Sequence, residues 1–157
     1  MDHDHLFAFE SDFVASLRCI PMAVRFKLDR VGVKLSLRQW SRLDTDDRRR
    51  LLVTPCATPG EIETYRQSLR ALVLERAGEP AKDLPGDGLV PWQAVEHTSS
   101  GVNLFAAEVG AALLSDETWR GLADLQRFVL LKLSRDSHDN VNFVPALKEF
   151  GLYAPAQ

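Results

Sequence analysis

The chain has 157 residues, 45% of them hydrophobic and 26% charged, which suits one ordinary soluble domain with a real core. No apolar run approaches the length of a membrane span, and the acidic start MDHDHLFAFESD lacks the basic and apolar pattern of a signal peptide, so a cytoplasmic location is expected. Cys19 and Cys56 lie 37 positions apart, a spacing that fits neither a zinc site nor a redox motif, and two free thiols are expected.

Taken in order, the chain is punctuated by helix start and stop signals. Phe7 and Phe9 follow the terminal residues and must dock on something. A helical signal runs through Asp12–Cys19, with Phe13 and Leu17 four apart. Pro21 interrupts it and starts a new helix, on which Ile20, Val24, Leu28 and Val31 form one apolar stripe before Gly32 stops it. Ser36 and Gln39 make a capping box for a helix that buries Trp40 and Leu43. Asp44 caps the next, which runs to about Val53 and carries Arg48, Arg49 and Arg50, then Leu51 and Leu52.

Thr58-Pro59-Gly60-Glu61 is the clearest start signal, opening a helix with Tyr65, Leu69, Leu72 and Val73 that ends at Gly78. Residues 78–91, GEPAKDLPGDGLVP, read as a linker. Trp92 and Val95 suggest a short docking helix. Ser99 or Ser100 caps a helix whose apolar face takes in Val102, Phe105, Val109 and Leu113. Ser115 opens another with Trp119 and Leu122, and Leu125–Leu133, apolar nearly all round, should be a central helix. A Ser137–Asn140 turn and a last helix through about Phe143–Phe150 complete the chain.

One stretch occurs twice. LSLRQWSRLDTDDRRRLL, Leu35–Leu52, aligns without a gap on LSDETWRGLADLQRFVLL, Leu114–Leu131, with seven identities in eighteen places. The identities are Leu35, Ser36, Trp40, Leu43, Arg48, Leu51 and Leu52 in the first copy. The expected architecture is therefore all-α, a single domain of two pseudo-repeated halves, 13–77 and 92–152, joined by the 78–91 linker. Arg49 and Arg50 become Phe128 and Val129, so the first copy should keep a solvated basic face where the second is buried.

Charge is segregated along the chain. Residues 14–56 carry ten basic and four acidic side chains, +6, within a total of −3, so the remainder carries −9. Arg38, Arg42, Arg48, Arg49 and Arg50 form the candidate partner-binding surface, because clustered charge builds a local potential that can steer a partner. Arg25 and Arg127 each precede phenylalanine, and bidentate arginine chemistry makes them a candidate anion site for carboxylate, nitrate or phosphate. Cys19 follows Arg18 and lies just before a helix start, the setting that lowers a thiol pKa, and is a candidate reactive thiol.

Other groups suggest no chemistry. Asp2, His3, Asp4 and His5, with Glu10 and Asp12 nearby, lack the fixed geometry a metal needs, so no metal and no cofactor are expected. His97 and His138 read as capping or surface residues, with no nucleophile near them. No catalytic constellation stands out.

The run FAFESDFVASLRCIPMAVRFKLDRVGVKLSLRQW, Phe7–Trp40, resembles the opening of the nitrate reductase-associated protein family. LQRFVLLKLSRDSHDNVNFVPALKEFGL, Leu125–Leu152, resembles its closing segment. The resemblance implies a small, bacterial, cytoplasmic protein whose relatives are named for genes beside those of nitrate assimilation, and it carries over no active site. It favours a non-enzymatic accessory protein that binds nitrate reductase or another nitrate assimilation protein. Two other readings compete. One is a nucleic-acid-binding regulator using the basic 14–56 segment, and the other an anion-binding protein or small enzyme using Arg25 and Arg127.

Overall fold

A computed structural model describes residues 6–10, 19–85, 91–135 and 140–157. The Asp12–Arg18 part of the expected first helix lies outside the described residues, as do the Asp2–His5 cluster, Asp12 and His138. The described residues are mainly α-helical, with eight α-helices and one two-stranded ribbon. Contacts group the chain into two compact units, residues 2–88 and 89–157.

The first unit begins with a 3-10 turn, Ala8–Glu10, on which Phe7 and Phe9 stack with ring centroids 5.2 Å apart. Phe7 is buried, so the terminal aromatic does dock. Helix α1 is Met22–Val31, and its N-cap is Pro21, which offers no side-chain cap. Glu10 takes over that role from twelve residues upstream: its buried carboxylate accepts from the Met22 amide at 3.0 Å and the Phe7 amide at 3.2 Å. A carboxylate at a helix N-terminus also meets the positive end of the helix dipole.

Gly32 ends α1 at φ 70°, a left-handed turn that glycine adopts without a steric penalty. Strand β1 (Val33–Lys34) follows and pairs antiparallel with β2 (Lys82–Asp83), Val33 opposite Asp83. Helix α2 (Leu37–Arg42) starts with the reciprocal Ser36–Gln39 capping box, and α3 (Thr45–Val53) with a second box between Asp44 and Asp47. Helix α4 (Pro59–Ala77) starts with a third, Thr58–Glu61, and stops at Gly78. Each such cap is worth about 1 kcal/mol, because it satisfies amides that the helix itself leaves unpaired.

The core of this unit joins Ile20, and Val24, Leu28 and Val31 from α1, with Trp40, Leu43, Leu51 and Leu52, and with Tyr65, Leu69 and Val73 from α4. Tyr65 donates its hydroxyl to the Leu51 carbonyl at 2.7 Å, so its burial leaves no polar atom unmet.

The second unit opens with a 3-10 turn, Pro91–Gln93, rather than a docking helix, although Trp92 is buried as expected. Helix α5 is Ser100–Glu108, capped by Ser99. It stops short of the expected stripe. Gly110 turns the chain at φ 76°, and Val109 and Leu113 are exposed rather than buried. The Gly110–Ala112 stretch instead pairs with the tail: Ala112 N–H donates to Ala154 O at 2.8 Å and Ala156 N–H to Gly110 O at 2.9 Å. Helix α6 (Asp116–Gly121) is capped by Ser115, and α7 (Asp124–Arg135) is the central helix, with Leu125, Phe128, Val129, Leu130, Leu131 and Leu133 all buried. Helix α7 packs on α5, on α8 (Phe143–Glu149), and on the 3-10 turns Pro91–Gln93 and Asn140–Asn142. Phe105 meets Phe143 edge-on at 5.0 Å.

Candidate functional site

The two copies of the repeated stretch share local geometry. Leu43 and Leu122 are both extended C-caps, and their amides donate to the carbonyls of Trp40 and Trp119. Both tryptophans are fully buried. The matched arginines also reach the matched carbonyls: Arg48 Nε donates to Trp40 O at 3.2 Å, and Arg127 Nη1 to Trp119 O at 3.3 Å. An arginine on the second helix therefore clamps the end of the first in each copy.

Beyond that clamp the copies diverge. Arg127 is buried. Its Nε donates to Trp92 O at 2.8 Å, its Nη1 also to Leu122 O, and its Nη2 pairs with Asp124. Arg48 is half-buried, donates to Ser41 O at 3.3 Å, and lies with its guanidinium carbon 5.6 Å from the centre of the Trp40 ring. Arg49 and Arg50 are exposed, whereas Phe128 and Val129 at the equivalent positions are buried, as the substitutions between the copies imply.

The five arginines of the candidate partner surface all stand on α2 and α3, and they are occupied to different degrees. Arg48 is committed to backbone carbonyls. Arg38 pairs with Glu79 at 3.3 Å and Arg49 with Asp46 at 3.8 Å, both in the open, where such pairs are worth little. Arg42 and Arg50 are exposed and have no ion pair among the described residues. Leu37 and Val53, 61% and 50% exposed, stand on the same two helices.

Beneath this face the supports are polar. Lys27, on α1, is buried and donates Nζ to Leu52 O at 2.6 Å and Thr54 O at 2.8 Å, closing the C-terminal end of α3. Asp47 is buried at the other end. Burial alone would raise its carboxyl. Hydrogen bonds from Arg76 and the Asp44 amide, with the charges of Arg76 and Arg50, hold it below the ordinary aspartate value instead. Neither Lys27 nor Glu10 announces its role in the sequence, because each partner lies on a different element.

The remaining candidates are placed as follows. Arg25 is in the first unit and donates Nε to Ile20 O at 3.0 Å, and Arg127 is in the second. Each thus has a local backbone partner. Cys19 is half-buried and free, and Cys56 is buried, which pushes its thiol up. His97 is exposed and pairs with Asp116 at 3.0 Å, and that hydrogen bond, with one from the Thr98 amide, holds the Asp116 carboxyl down. Among the described residues no helix is long and apolar enough to cross a membrane, and no group of three or more His, Cys, Asp or Glu side chains could hold a metal ion.

The model of the conserved nitrate reductase-associated protein family matches residues 6–150, nearly the whole chain, and the chain belongs to that family. No curated protein matches it, and no solved structure does.

Proposed function

We propose, from membership of the nitrate reductase-associated family, that this chain is a non-enzymatic accessory protein of nitrate assimilation. It works in the cytoplasm by binding a protein partner, nitrate reductase or another protein of the same process. Its contact surface is the α2–α3 face with Arg38, Arg42, Arg49 and Arg50, and Arg48 holds that face in shape from beneath. The observation that carries the reading is the family match over residues 6–150. The exposure of Arg42 and Arg50, with no ion pair among the described residues, supports that choice of surface, since an exposed cation keeps its attraction for an incoming carboxylate.

Co-purification of the tagged protein from nitrate-grown cells tests it. Recovery of a nitrate assimilation protein, lost when the salt is raised, is the expected result. Recovery of none, in cells where both are expressed, would overturn the reading.

A further inference from the structure

We infer that the α2–α3 face is the seat for an acidic, amphipathic helix of a partner protein. This deepens the partner-binding reading and rests on it.

The argument begins with helix periodicity. On α2, Leu37, Arg38, Ser41 and Arg42 are exposed and share one side. On α3, Asp46, Arg49, Arg50 and Val53 are exposed at the i, i+3, i+4 and i+7 spacing that makes one stripe. Each helix therefore presents arginine beside one large apolar side chain, Leu37 on α2 and Val53 on α3.

The second copy indicates what such a stripe accommodates. The residues equivalent to Asp46, Arg49, Arg50 and Val53 are Leu125, Phe128, Val129 and Lys132 on α7. The first three are buried, and α7 packs against helices α5 and α8 of its own unit. In the first unit, α3 packs on α1 and leaves its stripe open. The same local geometry is thus covered in one copy and bare in the other.

Chemistry then fixes the occupant. Where the second copy offers phenylalanine and valine, the first offers two guanidinium groups, so the cover must bring carboxylates. Leu37 and Val53 ask the same cover for an apolar stripe. Nucleic acid fits less well, because the two apolar side chains would gain nothing from a phosphate backbone.

The test uses the full chain and three synthetic helical peptides read by fluorescence anisotropy. One carries Glu with a Leu stripe, one has the same composition scrambled so that no stripe forms, and one carries Lys with the Leu stripe. The Glu peptide with the stripe should bind tightest and weaken with salt. Arg42→Glu with Arg50→Glu should weaken it by about tenfold or more, by reversing two rim charges. Leu37→Ser with Val53→Ser should weaken it independently, by removing the apolar contact. All four side chains are exposed, so the serine variant should keep the parent's thermal melt; Arg50→Glu also removes a charge that favours the ionised Asp47, so Arg42→Glu alone is measured beside the pair and should weaken the Glu peptide with the melt unchanged. Equal binding of the scrambled peptide, unchanged affinity in the charge-reversed variant, or tighter binding of duplex DNA would each overturn the inference. Peptide binding without co-purification would remove the nitrate assimilation partner and keep this seat. Co-purification that survives Arg42→Glu with Arg50→Glu would keep the partner and remove the seat.

Discussion

Arg48 and Arg127 provide an internal comparison, since they occupy matched positions and clamp matched tryptophan carbonyls in different surroundings. Replace each with methionine, which keeps most of the stem and removes the guanidinium. In Arg127→Met the carbonyls of Trp92 and Trp119 lose donors in bonds that are buried, whereas Leu122 O and Asp124 are partly open to water. The Trp119 carbonyl keeps its bond from the Leu122 amide, so the buried bond from the charged guanidinium to Trp92 O carries most of the loss, and the total is roughly 3 kcal/mol. In Arg48→Met the bond to Trp40 O is only partly buried and the bond to Ser41 O is exposed. Water replaces both, and the loss is about 1 kcal/mol, part of it the contact with the Trp40 ring. At a few degrees per kcal/mol for a chain of this size, Arg127→Met should melt about 8 °C below the parent and Arg48→Met about 3 °C below. Urea unfolding followed by tryptophan fluorescence reads both units, since Trp40 is in the first and Trp92 and Trp119 are in the second, all buried. If the two variants fall within 1 kcal/mol of each other, the burial argument is wrong.

Three further outcomes are expected. Lys27→Met leaves Leu52 O and Thr54 O without their ammonium donor and should cost about 2–3 kcal/mol, with faster amide exchange in the last turn of α3. Glu10→Ala removes the distant cap of α1 and should cost about 2 kcal/mol; unchanged exchange protection at the Met22 amide would contradict that role. Asp47 has a folded pKa below its unfolded one, so its contribution is present above the ordinary aspartate value and is lost as pH falls through the folded value. Stability measured from pH 7 down through roughly pH 4 and below should therefore decline less steeply in Asp47→Asn than in the parent, and parallel curves would refute the assignment.

What could be read from the sequence is what is local. The Ser36–Gln39 and Thr58–Glu61 boxes and the glycine stops at 32 and 78 depend on residues three or four apart or on a single backbone angle, and the structure has them where the spacing puts them. The Asp44 cap is legible, but the reciprocal bond of Asp47 is not, because an acid near a helix start is already favourable without one. The β1–β2 ribbon went unread, since two residues per strand are too few to show alternation. The α5 stripe was overextended because Val109 and Leu113 keep the helical period for a turn beyond the chain's actual stop at Gly110. The partner surface was legible as a cluster of like charge. Its internal division into a clamp, two loosely paired groups and two cations with no ion pair among the described residues was not, because that depends on Trp40, Glu79 and Asp46 in three dimensions.

That division also determines how a binding surface can be kept on a small helical unit. Three guanidinium groups in a row repel one another and the helix gains nothing from their company, so each needs a separate reason to be there. Arg48 has one in the Trp40 carbonyl, and removing it should loosen the turn between α2 and α3. Arg50 has a weaker one, since its charge helps hold the buried Asp47 carboxylate ionised while its side chain stays in solvent. Among the described residues Arg49 has only Asp46, a contact in high dielectric that contributes less than about 1 kcal/mol. Folding alone therefore accounts for Arg48 and leaves Arg49 and Arg42 almost free to vary. If the face serves no partner, Arg42→Gln and Arg49→Gln should be neutral in stability and neutral in nitrate-dependent growth. If it does serve one, the same two changes should leave the melt untouched and still impair growth on nitrate, a separation of stability from function that a merely solvated surface cannot produce.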